Sequence, residues 1–293
     1  MRLSRSFLSL LIAALCYSPI SWSQSEPAAC AVSGEADAAL IGLLEAHQHI
    51  SFSGTLLYER EGSRQFIDVD WSAGSGEARL RRLNRVEDPS TETWTPPAFT
   101  AGRFCDLLKF YIPRVEQGRV IAGRATHRLA IQPKDTLRLG YVAEIDRESG
   151  LPLAMVTVDP DGKMLERYEF ATINLSGINT AYADPQMAVI TEMARADSRG
   201  KNVLPGYYVI EGHATPAAFV VSDGLATASV FLEPLLGVTA PGEAGVMKGA
   251  TLTYTRGVPA TGQNGVLISV LGEVPLVTAR LLADAIRPTS PVP

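Results

Sequence analysis

The chain has 293 residues, 46% of them hydrophobic, enough to bury the core of one large domain or two ordinary ones. A formal net charge of -5 excludes a chain-wide nucleic-acid-binding surface. The charge is uneven: Arg79 to Arg138 holds 12 Lys and Arg against 6 Asp and Glu, and Leu151 to the end holds 9 against 13, so the middle favours anions.

Arg2 and Arg5 precede an apolar run from Phe7 to Cys16 that is too short to span a bilayer. That is the pattern of a secretory signal, with cleavage expected before Gln24. Leu15 stands where a lipoprotein signal would carry a small residue before Cys16, so the expectation is an exported, soluble chain. Two cysteines then remain, Cys30 and Cys105. In an oxidising compartment such a pair reads as a disulfide, with two buried thiols as the alternative.

Leu40, Leu43, Leu44 and His47 fall at helical spacing, which predicts a helix over Asp37 to His49 with Asp37 as its cap. Ser51 to Tyr58 and Gln65 to Trp71 read as a hairpin turning at Gly62-Ser63. Further strands are expected over Ala78–Leu83, Leu107–Ile112, Thr126–Ile131, Leu139–Ile145, Leu153–Val158 and Leu165–Ile173. Turn chemistry separates them at Glu87-Asp88-Pro89, Glu116-Gln117-Gly118, Gln132-Pro133, Ser149-Gly150 and Asp159 to Gly162, and Thr93 to Phe99 reads as a loop. Many short strands with one clear helix predict a curved antiparallel sheet or open barrel.

Ala183 to Asn202 reads as a short helix leading into a linker. Strands are then expected at Tyr207–Glu211, Phe219–Ser222, Ala226–Leu232, Gly249–Arg256 and Val266–Leu271. The third of these follows the Asp223-Gly224 turn and is expected to end at Glu233-Pro234, because proline cannot donate to a ladder. A last helix over Pro275–Ile286 would present Val277, Leu281, Leu282 and Ile286 to the core, with Arg287 near its C-terminus and an unordered tail after Pro288. The resulting fold class is α+β, mostly antiparallel β. Its segments are a signal peptide (1–23), an N-terminal domain (24–182), a linker (183–203), a smaller C-terminal α+β domain (204–288) and a tail (289–293).

No metalloprotease, nucleophile-elbow or phosphate-loop pattern is present, and the four histidines have no convergent partners in sequence. No catalytic residue, metal ligand or cofactor is therefore assigned. The remaining signals concern binding. Arg79, Arg81, Arg82, Arg124 and Arg128 are candidates for an anion site, with a solvated sheet face as the plain alternative. Phe52, Leu56, Tyr58, Ile67, Val69 and Trp71 alternate toward the inside of the expected barrel and are candidates to line a lipid cavity, with core packing as the alternative.

Six stretches, taken in order, carry a resemblance: SFSGTLLYERE (51–61), GRVIAGRATHRLAIQPKDTLRLGY (118–141), DRESGLPLAMVTVDPDGKMLERYEF (146–170), SDGLATASVFLEP (222–234), KGATLTYTR (248–256) and VLGEVPLVTARLLADAI (270–286). Together they resemble the MucB/RseB family of periplasmic regulators of an envelope-stress sigma factor. The resemblance implies a half-open β-barrel similar to LolA and LolB, followed by a smaller α+β domain. It implies no enzymatic activity. The partner it implies is the periplasmic domain of a transmembrane anti-sigma factor, protected from regulated proteolysis until lipid or lipopolysaccharide is sensed. A periplasmic lipid or lipoprotein carrier using the barrel alone is the second reading, and homo-oligomerisation stays open. Between Leu83 and Lys109 the family's landmarks are sparse.

Overall fold

Two antiparallel sheets dominate the computed structural model, which describes residues 34–73, 75–84, 104–176, 204–212, 218–235, 242–259 and 265–285. The expected signal segment, Cys30, Thr93 to Phe99, the expected helix and linker at 183–203, His213, Ile286, Arg287 and the expected C-terminal tail lie outside those residues.

The first sheet has eight strands in the order β3-β2-β1-β8-β7-β6-β5-β4. They are β1 (Ser51–Arg60), β2 (Ser63–Ser72), β3 (Glu77–Arg82), β4 (Tyr111–Ile121), β5 (Arg124–Pro133), β6 (Gly140–Asp146), β7 (Pro152–Val158) and β8 (Met164–Ser176). The sheet is a chain of hairpins closed through the β1–β8 pair, with β3 and β4 as its open edges. Two tight turns set the registers. Glu61-Gly62 and Ala122-Gly123 have positive φ at both positions, the form whose twist suits a two-residue hairpin.

The inner row Leu129, Ala143, Met155, Tyr168, Tyr58 and Gln65 is buried, while the next row, Arg128, Glu144, Ala154, Glu169, Leu57 and Phe66, carries the charges. Helix α1 (Glu35–His49) packs on β4, β5 and β6, burying Leu40, Ile41, Leu43 and Leu44. At about 1.5–3 kcal/mol for each fully buried aliphatic side chain, that stripe alone anchors the helix. Gly42 lets it sit directly on the Gly150 backbone, 3.4 Å from where a Cβ would be. The helix starts at Glu35, two residues earlier than predicted, after Gly34, and no side chain of Gly34 can cap it.

Three readings of this half are corrected. Phe104–Phe110 is a helix, α2, so the predicted strand over Leu107–Ile112 starts only at Tyr111. Short apolar runs do not distinguish a buried helix from a strand, and here Leu107 is buried against Gly224, far away in sequence. Glu116-Gln117-Gly118 is not a turn but lies inside β4, at a register shift between Gln117 and Val120. The first hairpin turns at Glu61-Gly62 rather than one residue later.

The second sheet has the order β12-β13-β14-β11-β10-β9. Its strands are β9 (Tyr208–Gly212), β10 (Ala218–Ser222), β11 (Thr227–Leu235), β12 (Gly242–Lys248), β13 (Thr251–Pro259) and β14 (Gly265–Gly272). Val221, Ala228, Val230, Leu252, Tyr254, Ile268 and Val270 fill its core under helix α3 (Leu276–Ala285). β11 runs through Pro234, beyond its predicted end. Among the described residues, β11 past Phe231 pairs with β14 only, and a missing N–H is tolerated on the other side. Sequence reading missed β12, whose GEAGVMK has no alternation and is almost wholly exposed. It also placed part of the wrong face of α3 on the core: Leu282 is buried as expected, but Val277 and Leu281 are not, and Ile286 lies outside the described residues. Thr278, Ala279, Leu282 and Ala283 are buried, whereas Leu276, Val277 and Leu281 are exposed, because the small side chains let the helix lie close to the sheet.

Candidate functional site

Both sheets belong to one compact unit, and the most highly built polar structure in it is where they meet. The β10–β11 turn, Ser222 to Ala226, is buried throughout rather than lying at the surface. Asp223 shapes it locally: its Oδ1 accepts the N–H groups of Leu225 at 3.0 Å and Ala226 at 2.8 Å. Ser222 adds a bond from its hydroxyl to the Ala226 carbonyl and accepts the Gly224 N–H. Gly224, at φ 102, brings its backbone against Leu107 of α2. The turn is a plug set into the first half of the chain.

The other Asp223 oxygen faces that half. Tyr111, the first residue of β4, donates its hydroxyl to Oδ2 at 2.7 Å, and Arg138 Nε lies 3.6 Å away. Arg138 is fully buried, an unusual place for a guanidinium. It is compensated by Asp135, by Asp223 and by the Pro205 carbonyl, and its plane lies 4.1 Å from the Phe110 ring centroid and 5.1 Å from that of Tyr207. Among the described residues its Nε has no hydrogen-bond acceptor, so the ion pair with Asp223 is electrostatic rather than bonded. Burial raises the Asp223 carboxyl above its ordinary range, opposed by the Ala226 N–H, the Tyr111 hydroxyl, the Leu225 N–H and Arg138. Above this pair, the Leu137 carbonyl accepts both the Tyr207 hydroxyl (2.9 Å) and the Thr278 hydroxyl of α3 (2.6 Å).

A second contact joins the sheets at the β12–β13 hairpin tip. Glu166 of β8 accepts the Tyr58 hydroxyl (2.9 Å) and the Ala250 N–H (3.0 Å), and Glu61 accepts the Gly249 N–H (3.3 Å). A Cβ on Gly249, at φ 62, would lie 2.3 Å from the Arg60 side chain, so only glycine fits.

The residues proposed from sequence fall elsewhere. Phe52, Leu56, Tyr58, Ile67 and Val69 are buried on the inner face of β1 and β2, with Trp71 half-buried at the end of β2. Trp71 donates its indole N–H to the His47 carbonyl at 2.8 Å, tying α1 to the sheet, and Phe52 packs edge-on against Phe170. The structure brings these six together. The five arginines are not brought together: Arg79, Arg81 and Arg82 lie on edge strand β3, Arg124 and Arg128 on β5 near the other edge. Arg81 pairs with Asp68, Arg124 with Asp146 and Glu148, and Arg128 with Glu144. Cys105 is disulfide-bonded, while Cys30 is outside the described residues. His127, without an acidic neighbour in sequence, meets Glu35 of α1 at 3.2 Å. Among the described residues no group of His, Cys, Asp and Glu could hold a metal ion.

Sequence reasoning treated Ser222 to Pro234 as a strand bounded by turns and passed over Asp135, Arg138 and Tyr111. The usable signal was an Asp-Gly turn flanked by apolar residues on both sides, which is atypical of a solvated hairpin.

Comparison with known proteins bears on both halves. The chain matches the pattern of the MucB/RseB N-terminal domain over residues 82–194 and of the MucB/RseB C-terminal domain over residues 204–287. It is 30% identical over 286 residues to the sigma factor AlgU regulatory protein MucB of Pseudomonas aeruginosa, covering 84% of this chain and 89% of that protein. It is 26% identical over 208 residues to the sigma-E factor regulatory protein RseB of Haemophilus influenzae, covering 65% of this chain and 64% of that protein. A crystal structure of MucB in complex with MucA(peri) superposes with a TM-score of 0.63 at 28% identity, over 87% of this chain and all of that one. The Pseudomonas aeruginosa MucA/MucB complex gives 0.65 at 27% identity, over 88% of this chain and all of that one.

Proposed function

This chain belongs to the MucB/RseB family, and from that premise we propose that it is a periplasmic, non-catalytic regulator that binds the periplasmic domain of a transmembrane anti-sigma factor and shields it from the protease that begins its degradation. The observation that carries the reading is that both halves of the chain match the family in order, and that a similar protein, MucB, has been solved with MucA(peri) bound. We keep the division into an exported N-terminal domain (24–182), a linker (183–203) and a C-terminal domain (204–288) as part of the proposal.

The joint gives the proposal its physical content. Shielding a cleavage site requires a partner segment to be held over a standard interface, about 800 Å² on each side. Two domains fixed to one another by the Asp223 plug and the β12–β13 tip offer such a surface without ordering themselves at the moment of binding. Release on sensing lipid or lipopolysaccharide then requires the ligand to favour a state of the joint that binds the partner less well. The apolar side chains from Phe52 to Trp71 are already packed, so a lipid tail enters there by displacing protein side chains.

The test is titration of the full chain with the periplasmic segment of the anti-sigma factor of the same cell, followed by proteolysis of that segment with and without the chain. Binding with protection supports the proposal. Absence of both refutes it, and lipid transfer to an acceptor without partner binding would favour a carrier.

A further inference from the structure

A cleft of about 510 Å³ opens between the second sheet and α3, lined among others by Gly242 and Glu243 of β12, Arg256 and Gly257 of β13, and Arg280 and Asp284 of α3. Gly242 and Gly257 stand directly opposite one another in the β12–β13 register, so the floor there is bare backbone. The fold does not demand a glycine at 242. Its φ is not in the left-handed region, and a Cβ built on it would meet no atom within 4 Å. A strand glycine that serves neither conformation nor packing fits a place where another molecule approaches the backbone.

The walls of the cleft alternate in sign. Arg280 and Asp284 lie four residues apart on α3 and so share a face, and Glu243 is paired in register with Arg256. Arg280 donates from Nη2 to Glu243 Oε1 at 2.6 Å, and Arg256 donates from Nη1 to Asp284 Oδ1. Arg280, Glu243, Arg256 and Asp284 therefore form a ring of alternating charge that sums to zero. Glu243 is fixed by the Tyr254 hydroxyl at 2.7 Å and by Arg280, and these bonds hold its carboxyl below its ordinary range. All four charged side chains reach solvent. Ion pairs this exposed contribute little net stability, so a ligand can take over either partner at small cost. A guanidinium carries five donors in a planar fork, and each of the two ion pairs uses one of them.

A lone anion in this cleft gains the arginines but faces Glu243 and Asp284, and a lone cation meets the reverse. A molecule carrying one charge of each sign finds an opposite partner for both. We propose that the cleft binds a small zwitterion, with a singly charged oxyanion on the Arg256 and Arg280 forks and a primary ammonium, a few bonds away, on Asp284. A free amino acid and an ethanolamine phosphodiester headgroup share that chemistry. The inference rests on the second sheet and α3 alone and does not depend on the anti-sigma factor reading.

The experiment titrates the full chain, followed by NMR shifts and calorimetry, with γ-aminobutyrate and with glycerophosphoethanolamine. Butyrate and butylammonium, which each keep one of the two charges, are the controls. At least one zwitterion should bind saturably and at least about tenfold tighter than either control, the factor expected for one charge-assisted hydrogen bond. The tighter of the two identifies the oxyanion as the carboxylate of an amino acid or the phosphodiester of a headgroup. Gly242→Leu, which fills the cleft, and Asp284→Asn, which removes the ammonium's partner, should each weaken binding by at least about tenfold while leaving the unfolding midpoint close to the parent's, since both positions reach solvent. The comparison of ligands on the unaltered chain stands even if a variant fails to fold. No saturable binding of either zwitterion, a single-charge control that binds as tightly, or unchanged affinity in both folded variants overturns the proposal.

Discussion

Asp223→Ala is the perturbation that most directly probes the joint. It removes the acceptor of two backbone N–H groups, the acceptor of the Tyr111 hydroxyl and one of the two carboxylates beside Arg138. Breaking a buried charge pair from one side costs about 3–5 kcal/mol, because the remaining charge stays uncompensated. Asp135 and the Pro205 carbonyl still hold Arg138, which argues for the lower end for the ion pair alone, and the orphaned hydroxyl and N–H groups bring the total back to about 3–5 kcal/mol. At about 2–4 °C per kcal/mol for a protein of this size, Tm should fall by about 10 °C. Asp223→Asn keeps a carbonyl oxygen for Leu225 and Ala226 and removes only the charge, so about half the loss is expected. Thermal and denaturant unfolding of the three proteins side by side is the assay, with hydrogen exchange resolved along the chain to show that α2 and β4 lose protection together with β10 and β11. An Ala variant within about 1 kcal/mol of the parent would refute the reasoning, since no buried pair of that kind could then be holding the sheets together.

Three further outcomes follow from the same structure. Gly206→Ala should destabilise the joint by at least about 1 kcal/mol, because φ 77 disfavours a side chain and a Cβ would lie 2.2 Å from Arg138 Nη2 and 2.5 Å from the Phe110 ring; an unchanged denaturation midpoint would contradict the close approach. Leu282→Ala should cost about 2–5 kcal/mol whereas Leu281→Ala should stay within about 1 kcal/mol, since only the first is buried; equal losses would restore the face of α3 expected from sequence. Glu273 holds its proton more tightly folded than unfolded, from 4.5 up to about 7, owing to desolvation and then to Glu166 and Asp223, so its contribution favours folding below the lower value and fades as pH rises through about 7. Glu273→Gln should flatten the decline of Tm between about pH 5 and pH 8; an unaltered profile would exclude Glu273 as its source.

Most strands of both sheets were legible because their alternation and turn dipeptides are strong local signals, whereas β12 and most of β4 were not. Gln65, Ile67 and Val69 are buried as the period of two requires, and the Asp159 to Gly162 break is a turn. What escaped was decided by contacts distant in sequence. Leu107 became helical where it packs under Gly224, more than a hundred residues away. The face of α3 was set by the fit of Ala279 and Ala283 on the sheet and by Thr278 reaching Leu137, not by the bulk of Val277 and Leu281. For the site, the arginines drew attention by number, yet Arg81, Arg124 and Arg128 meet carboxylates on neighbouring strands. Arg138 stood out less and is the one buried at the joint. The family, by contrast, was readable from short motifs in order. One of them, Ser222 to Pro234, opens with the turn that plugs the first half of the chain.

The central claim is that this chain holds the periplasmic domain of an anti-sigma factor through a surface that both sheets build. Calorimetric titration of that domain into the full chain and into Asp223→Ala, at a temperature where both are folded, tests it most directly. The account predicts saturable one-to-one binding to the parent and at least about tenfold weaker binding to the variant, the factor expected when ordering the joint is added to the cost of association. No binding to the parent would contradict the family-based function, and equal affinity for both would contradict the role given to the joint.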